Sequence, residues 1–183
     1  MRIIAGIYKG FPLKSFPGMD IRPTPAKVRE AVFDILGFKI IDSDFLDLFA
    51  GTGAIGIEAL SRGAKRATFV DINPNAVNLI KANLSKIKQN DFSDVIKRDY
   101  MYSLKMLKLQ QRKFDIIFFD PPYYKNISKK VLNEIEKNNI LKKNTTVIVQ
   151  HNTYEEVHAE HQKLSFLKEK KYGKSKITLF TNI

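Results

Sequence analysis

Asp120-Pro121-Pro122-Tyr123 closes a nearly continuous apolar run, Phe114-Asp115-Ile116-Ile117-Phe118-Phe119, and its residue types suit work on a weak nitrogen nucleophile. The lone pair of an exocyclic amine on guanine or adenine is delocalised into the ring. Hydrogen bonds from its N–H groups to the Asp120 carboxylate and the Pro121 carbonyl would draw charge back to nitrogen and turn the lone pair toward an electrophile. Two prolines hold those acceptors in place and bring no backbone donor to compete. Tyr123 offers a ring for a base taken out of its stack. A capping aspartate before a proline turn has the same letters, so position in the fold decides the meaning.

A second stretch, Leu46-Asp47-Leu48-Phe49-Ala50-Gly51-Thr52-Gly53-Ala54-Ile55-Gly56, ends an apolar run in three glycines and passes into Ile57-Glu58-Ala59-Leu60. It reads as a strand, a tight loop and the first turn of a helix, which puts bare backbone N–H groups beside a small ligand. Gly51, Gly53 and Gly56 match the dinucleotide pattern, and Asp71 follows where a ribose-binding carboxylate is expected. Asp47 weighs the other way, because a carboxylate beside the loop repels a pyrophosphate and attracts a cation. S-adenosyl-L-methionine, with an ammonium, a sulfonium and no phosphate, is such a cation. The contacts expected for it are Asp47 at the ammonium, Phe49, Ala50, Gly51, Thr52 and Gly53 along the loop, Asp71 with Ile72 at the ribose, Asp99 at the adenine amino group, and Asp120 beside the methyl group.

These residues need a scaffold that brings distant segments to one edge. From residue 45 onward strand-like and helix-like segments alternate, which calls for an α/β fold with a mainly parallel sheet and helices on both faces. Strands are predicted over 45–49, 67–70, 95–96, 114–119 and 145–150, with helices over 54–62, from Pro74, over 101–110 and over 128–137. Residues 164–172 and 177–180 read as a closing hairpin about Gly173. In an open parallel sheet ligands bind outside the carboxyl ends of the strands. Asp47, Asp71, Asp99 and Asp120 fall at or just beyond four successive predicted ends and would line one crevice.

Ahead of the sheet, residues 1–20 read as a hairpin arm around Gly6 and Gly10, ended by Arg22-Pro23-Thr24-Pro25. A leading helix over 24–37 starts with Thr24 as cap and Pro25 in its first turn, and carries Val28, Ala31, Val32, Ile35 and Leu36 on one stripe. Lys27, Arg29 and Glu30 fall away from that stripe, so Arg29 is expected as a solvated charge or a group aimed at a ligand.

With 183 residues the chain is expected to form one domain, 1–183, with its catalytic sheet and helices over 45–183. The absence of cysteine excludes disulfides and thiolate metal sites. No apolar run reaches the length of a membrane span and the N-terminus does not read as a secretory signal, so the cytoplasm is the expected compartment. Net charge is +12, from 31 Lys and Arg against 19 Asp and Glu, which points to a polyanionic partner, although a lysine-rich composition by itself produces part of the excess. The charge is uneven: residues 163–183 hold Lys163, Lys168, Lys170, Lys171, Lys174 and Lys176 against Glu169 alone. Arg2, Lys9, Lys14, Arg22 and Arg29 are the candidate RNA contacts.

Taken together and in order, Met1-Arg2-Ile3-Ile4-Ala5-Gly6, Arg22-Pro23-Thr24, Arg29-Glu30-Ala31-Val32-Phe33, the glycine stretch, Glu58-Ala59-Leu60-Ser61-Arg62-Gly63-Ala64, Phe119-Asp120-Pro121-Pro122-Tyr123 and Tyr172-Gly173 resemble the RsmD family of bacterial 16S ribosomal RNA guanine-N2 methyltransferases. The inner motifs are shared with many S-adenosylmethionine enzymes; the N-terminal blocks carry the resemblance to this family. It implies a Rossmann-like class I methyltransferase sheet of seven strands with the last antiparallel, and methylation of one guanine in 16S ribosomal RNA on small-subunit particles; a monomer with no membrane partner is expected. One departure stands out, since the family often has an acidic residue at the end of the fifth strand and this chain has Gln150 followed by His151. His151, His158 and His161 lie near Glu155, Glu156 and Glu160, but they read as exposed histidines of a polar loop, and direct methyl transfer needs no metal.

Other classes remain to be separated. An adenine-N6 DNA methyltransferase would use the same acceptor motif, although no separate domain for reading DNA is evident. A nicotinamide-dependent oxidoreductase fits the glycines and Asp71 and leaves Asp47 and Asp120 unexplained. A non-catalytic RNA-binding factor could use the same fold.

Overall fold

The computed structural model describes residues 1–15, 26–122, 127–157 and 162–182; Arg22, Thr24, Pro25, Tyr123, His158 and His161, which the sequence singles out, lie outside them. The apolar runs pair into one seven-stranded sheet, β1 (Asp44–Leu48), β2 (Arg66–Asp71), β3 (Ser93–Lys97), β4 (Phe114–Phe119), β5 (Leu141–Asn152), β6 (Leu164–Tyr172) and β7 (Ser175–Asn182), in the order β3-β2-β1-β4-β5-β7-β6. β1 to β5 run parallel, and β7 is antiparallel to both β5 and β6. Among the described residues five α-helices accompany the sheet, α1 (Ala26–Leu36) ahead of it and α2 (Ala54–Ser61), α3 (Pro74–Lys86), α4 (Tyr100–Leu109) and α5 (Ile127–Lys137) between its strands.

Adjacent strand residues point to opposite faces, and both faces are covered. Phe45, Phe69, Ile116 and Ile148 pack with Val32, Ile57 and Ile80 from α1, α2 and α3, whereas Leu46, Val70, Ile117 and Val149 pack with Leu104, Val131 and Ile135 from α4 and α5. Burial on both sides is why the central strands read as unbroken apolar runs and not as alternating ones.

Strand order reverses between β1 and β4, since β2 and β3 lie to one side of this pair and β5 to the other. In a doubly wound sheet that point is the usual ligand position. Most strands are longer than the apolar runs predict, and two of the changed limits bear on the site. β1 stops at Leu48 because Phe49 takes a positive φ of 61°. β5 runs on to Asn152, because β7 pairs with Gln150, His151 and Asn152 beyond the point where β4 ends. His151 is therefore a fully buried sheet residue and not a loop histidine.

The N-terminal arm closes as a hairpin through an Arg2–Pro12 bridge and is fastened to α2 and α3. Glu58, buried in the middle of α2, accepts the Ile4 and Ala5 N–H groups, each at 2.8 Å, and Arg62 Nε at 3.0 Å. The Ser61 carbonyl accepts the Ile7 N–H at 2.8 Å. Contact here is so close that a Cβ on Gly6, whose φ is +84°, would stand 1.8 Å from that carbonyl oxygen. Asn83 of α3 accepts the Lys14 N–H at 2.8 Å and donates to the Lys14 carbonyl at 3.1 Å.

The arm also corrects the expectation for Arg29. It is 3% exposed, its Nη2 donates to the Arg2 carbonyl at 2.9 Å, and its Nε lies 3.9 Å from Glu58 Oε2. A helix expected to have one covered stripe has a second covered side where the arm crosses it, so Arg29 is an internal strut and is not available to RNA.

Candidate active site

At the end of β1 the chain turns through left-handed backbone at Phe49, Gly51 and Gly53, with φ of 61°, 54° and 75°. The Ala50 N–H donates to the Val70 carbonyl at 3.0 Å, and the Gly53 N–H to the Ala50 carbonyl at 2.7 Å, so the loop is tied to β2 and to itself. The three glycines serve different ends. A Cβ on Gly51 would meet nothing nearer than 4.0 Å, Gly53 is the left-handed cap of α2, and a Cβ on Gly56 would fall 2.3 Å from the Phe69 ring. The third glycine therefore lets α2 lie on β2.

Asp47 sits beneath this loop. Its Oδ2 accepts the Gly56 N–H at 2.9 Å in the first turn of α2, where a helix has unpaired donors, and the side chain is only 2% exposed. Burial pushes its carboxyl up to about 8; the Gly56 hydrogen bond opposes the rise, while the charges of Asp71 and Asp120 add to it. The sequence reading has Asp47 as one of four acids lining the crevice. In the structure it is a buried seat for the loop and helix, because β1 is central in the sheet and α2 begins directly above it.

Asp71, at the end of β2, bridges two backbone donors. Its Oδ2 accepts the Gly51 N–H and its Oδ1 the Asn73 N–H, both at 2.8 Å. The half-buried carboxylate keeps lone pairs for a ligand on the loop. Ile72 beside it is 67% exposed, an apolar surface next to a polar one. Asp99 caps α4 by accepting the Met101 N–H at 2.9 Å, and Phe49 leans on Tyr100 with ring centroids 5.3 Å apart. The strand order puts these groups in the sequence Asp99, Asp71, Asp47, Asp120 along one edge.

Asp120 follows β4 on the far side of the switch point. Burial pushes its carboxyl up to about 7. Gln150 of β5 donates from Nε2 to Asp120 Oδ2 at 2.9 Å. Pro121 is buried and Pro122 exposed, while Tyr123 is outside the described residues. Of the expected RNA contacts, Arg2, Lys9 and Lys14 are exposed on the arm, where Arg2 Nη1 donates to the Gly10 carbonyl at 2.7 Å; Arg22 is outside the described residues and Arg29 is buried.

Sequence reasoning missed the parts of Glu58, Asn83 and Gln150. Glu58 and Asn83 left one trace, a polar side chain at a position of the helical period that faces the core. Gln150 left another, an amide where the related pattern carries an acid.

A doubly wound sheet with a glycine loop after β1, an acid at the end of β2 and an Asp-Pro-Pro turn after β4 is the architecture of class I methyltransferases. Solved structures agree: yhhF from Escherichia coli matches with a TM-score of 0.87 at 29% identity, over 100% of this chain and 97% of that one. A Haemophilus influenzae protein matches with a TM-score of 0.82 at 32% identity, over 100% and 98% of the two chains. In sequence, the chain is 37% identical to ribosomal RNA small subunit methyltransferase D of Haemophilus influenzae, over 82% of this chain and 78% of that protein. It is 34% identical to the protein of the same name from Buchnera aphidicola subsp. Baizongia pistaciae, over 100% and 92%. Residues 1–181 match the family described as Conserved hypothetical protein 95, and the chain belongs to this family, that of RsmD.

Proposed function

We propose that this protein transfers the methyl group of S-adenosyl-L-methionine to the exocyclic N2 amine of a guanine in 16S ribosomal RNA. One observation carries the reading: Asp120, with one oxygen engaged by Gln150 and with the buried Pro121 after it, stands across the switch point from the glycine loop. A nicotinamide cofactor on the glycine loop would leave Asp120 and its Gln150 partner without a part, which argues against it.

The residues at the loop fit the methyl donor. Space is open at Gly51, Asp71 has acceptor capacity for ribose hydroxyls, Ile72 presents an apolar face, and Asp99 keeps a carboxylate oxygen beyond its cap. Bound there, S-adenosyl-L-methionine supplies an electrophilic methyl group on a sulfonium. The chain's own residues do the rest. Asp120 and the Pro121 carbonyl accept the two N–H groups of the amine and orient its lone pair, and the rigid turn holds both acceptors before the substrate arrives. As the N–C bond forms and the C–S bond breaks, the nitrogen becomes acidic and its proton passes to Asp120 or to water.

The names of the relatives support ribosomal RNA as the substrate class. The exposed Arg2, Lys9 and Lys14 and the net charge of +12 support contacts to phosphate. We read residues 1–183 as one catalytic domain acting as a monomer on small-subunit particles in the cytoplasm. Among the described residues no helix is long and apolar enough to cross a membrane.

The test is transfer of labelled methyl to small subunits, naked 16S RNA and DNA in parallel, followed by identification of the modified nucleoside. N2-methylguanosine in ribosomal RNA is expected. N6-methyladenine in DNA would replace this reading with the DNA one, and calorimetric binding of NAD without S-adenosyl-L-methionine would end it.

A further inference from the structure

Gln150 is buried in β5, opposite Ile177 of β7, and one half of its amide is accounted for. Nε2 donates to Asp120 Oδ2 at 2.9 Å, while Oε1 is buried and accepts no hydrogen bond among the described residues. Buried polar atoms are seldom left unpaired, since the loss is comparable to a missing hydrogen bond. An amide can rotate to face a neighbour with either atom, so its orientation follows the neighbour's charge. Opposite an ionised carboxylate it must present N–H, and opposite a carboxylic acid it can turn Oε1 to accept the acid proton. With Nε2 on Asp120 Oδ2, the amide has the orientation that an ionised Asp120 requires, and Oε1 is left without a partner.

We propose that Gln150 is a positioning residue for methyl transfer: its amide holds Asp120 ionised and occupies Oδ2, so that Oδ1 is the oxygen offered to the target amine. This rests on the assignment of Asp120 as the amine acceptor. The acids at the neighbouring strand ends are Asp47 of β1, whose own carboxyl burial pushes up to about 8, and Asp71 of β2. Burial is what opposes the ionisation of Asp120. On the β5 side Gln150 supplies a neutral donor, and a hydrogen bond to the charged form favours that form. A glutamate at 150 would act otherwise. Protonated, it donates to Asp120 as the amide does; ionised, it repels Asp120 and cannot donate.

The experiment follows labelled methyl transfer to small subunits by the full chain from pH 6 to pH 9, for wild type, Gln150→Met, Gln150→Glu and Asp120→Ala, with S-adenosyl-L-methionine affinity measured by calorimetry for each. Wild-type turnover should rise with pH as Asp120 ionises. In Gln150→Met the midpoint of that rise should move up by about one pH unit or more, with kcat at neutral pH down roughly tenfold and cofactor affinity within about twofold of wild type. Gln150→Glu should add a loss of turnover at the alkaline end that wild type lacks. A packing role alone would lower activity without moving the midpoint. Superimposable pH profiles for wild type and both Gln150 variants, with Asp120→Ala inactive, would overturn the role of Gln150 and leave the reaction assignment standing. Full turnover by Asp120→Ala would instead remove the assignment on which it rests.

Discussion

Asp71 Oδ2 accepts the Gly51 N–H at 2.8 Å, so the acid at the end of β2 fixes the loop that follows β1. In the proposed function the same carboxylate also holds the ribose of the methyl donor, which couples loop shape to cofactor binding. Removing it in Asp71→Ala breaks two backbone hydrogen bonds to a charged acceptor, each worth about 1.5–3 kcal/mol. S-adenosyl-L-methionine affinity should fall at least tenfold by calorimetry, and a binding constant equal to wild type would contradict the ribose assignment.

Asp120→Ala should abolish transfer while leaving cofactor affinity nearly intact, because the loop and Asp71 are untouched. A drop in affinity comparable to that of Asp71→Ala, with turnover retained, would exchange the proposed roles of the two acids.

The buried Asp47 has a consequence for stability. Its folded carboxyl is pushed up to about 8, above the 3.8 of the ordinary group, so the folded state holds a proton that the unfolded chain releases. Stability from this group is greatest below pH 4 and is lost as pH rises toward 8, at no more than about 1.4 kcal/mol per pH unit. Asp47→Asn keeps an acceptor for the Gly56 N–H and does not ionise. Chemical denaturation at a series of pH values should show a flatter decline between pH 4 and 8 than wild type; an identical slope would refute the buried, protonated Asp47.

Glu58 holds the arm. Glu58→Ala removes the acceptor for the Ile4 and Ala5 N–H groups and leaves Arg29 buried without its counter-charge, a change of about 3–5 kcal/mol when one partner of a buried pair is lost. A lower melting temperature is expected, with hydrogen exchange at Ile4 and Ala5 accelerated more than in β4. Uniform acceleration across both would mean that the arm is not held separately by Glu58.

Gly56→Ala should destabilise the protein by about 1–3 kcal/mol by overpacking α2 against Phe69, with a Cβ 2.3 Å from the ring. Melting by circular dichroism checks it, and a wild-type midpoint would mean that the helix can lift from the sheet at no cost.

Much of this protein was legible in the chain because it is written locally. Strand and helix types follow from apolar runs and 3.6-residue stripes, the glycine loop and Asp-Pro-Pro segment from contiguous letters, and the row of four aspartate-bearing strand ends from one topological rule. What the chain alone left open is set by contacts between residues far apart in sequence. Whether Asp47 faces a ligand or seats a helix depends on the depth of β1 below α2. Arg29 is solvated in an isolated helix and buried only once the arm, 27 residues earlier, crosses it. His151 belongs to the sheet because β7 returns to pair beyond the end of β4. Gln150 meets Asp120 only through the register of neighbouring strands, 30 residues apart along the chain. Sequence determines which groups are present and which local shapes they take, while burial and partner choice, which set the charge state of Asp47 and Asp120, arise only when the sheet and its coverings assemble.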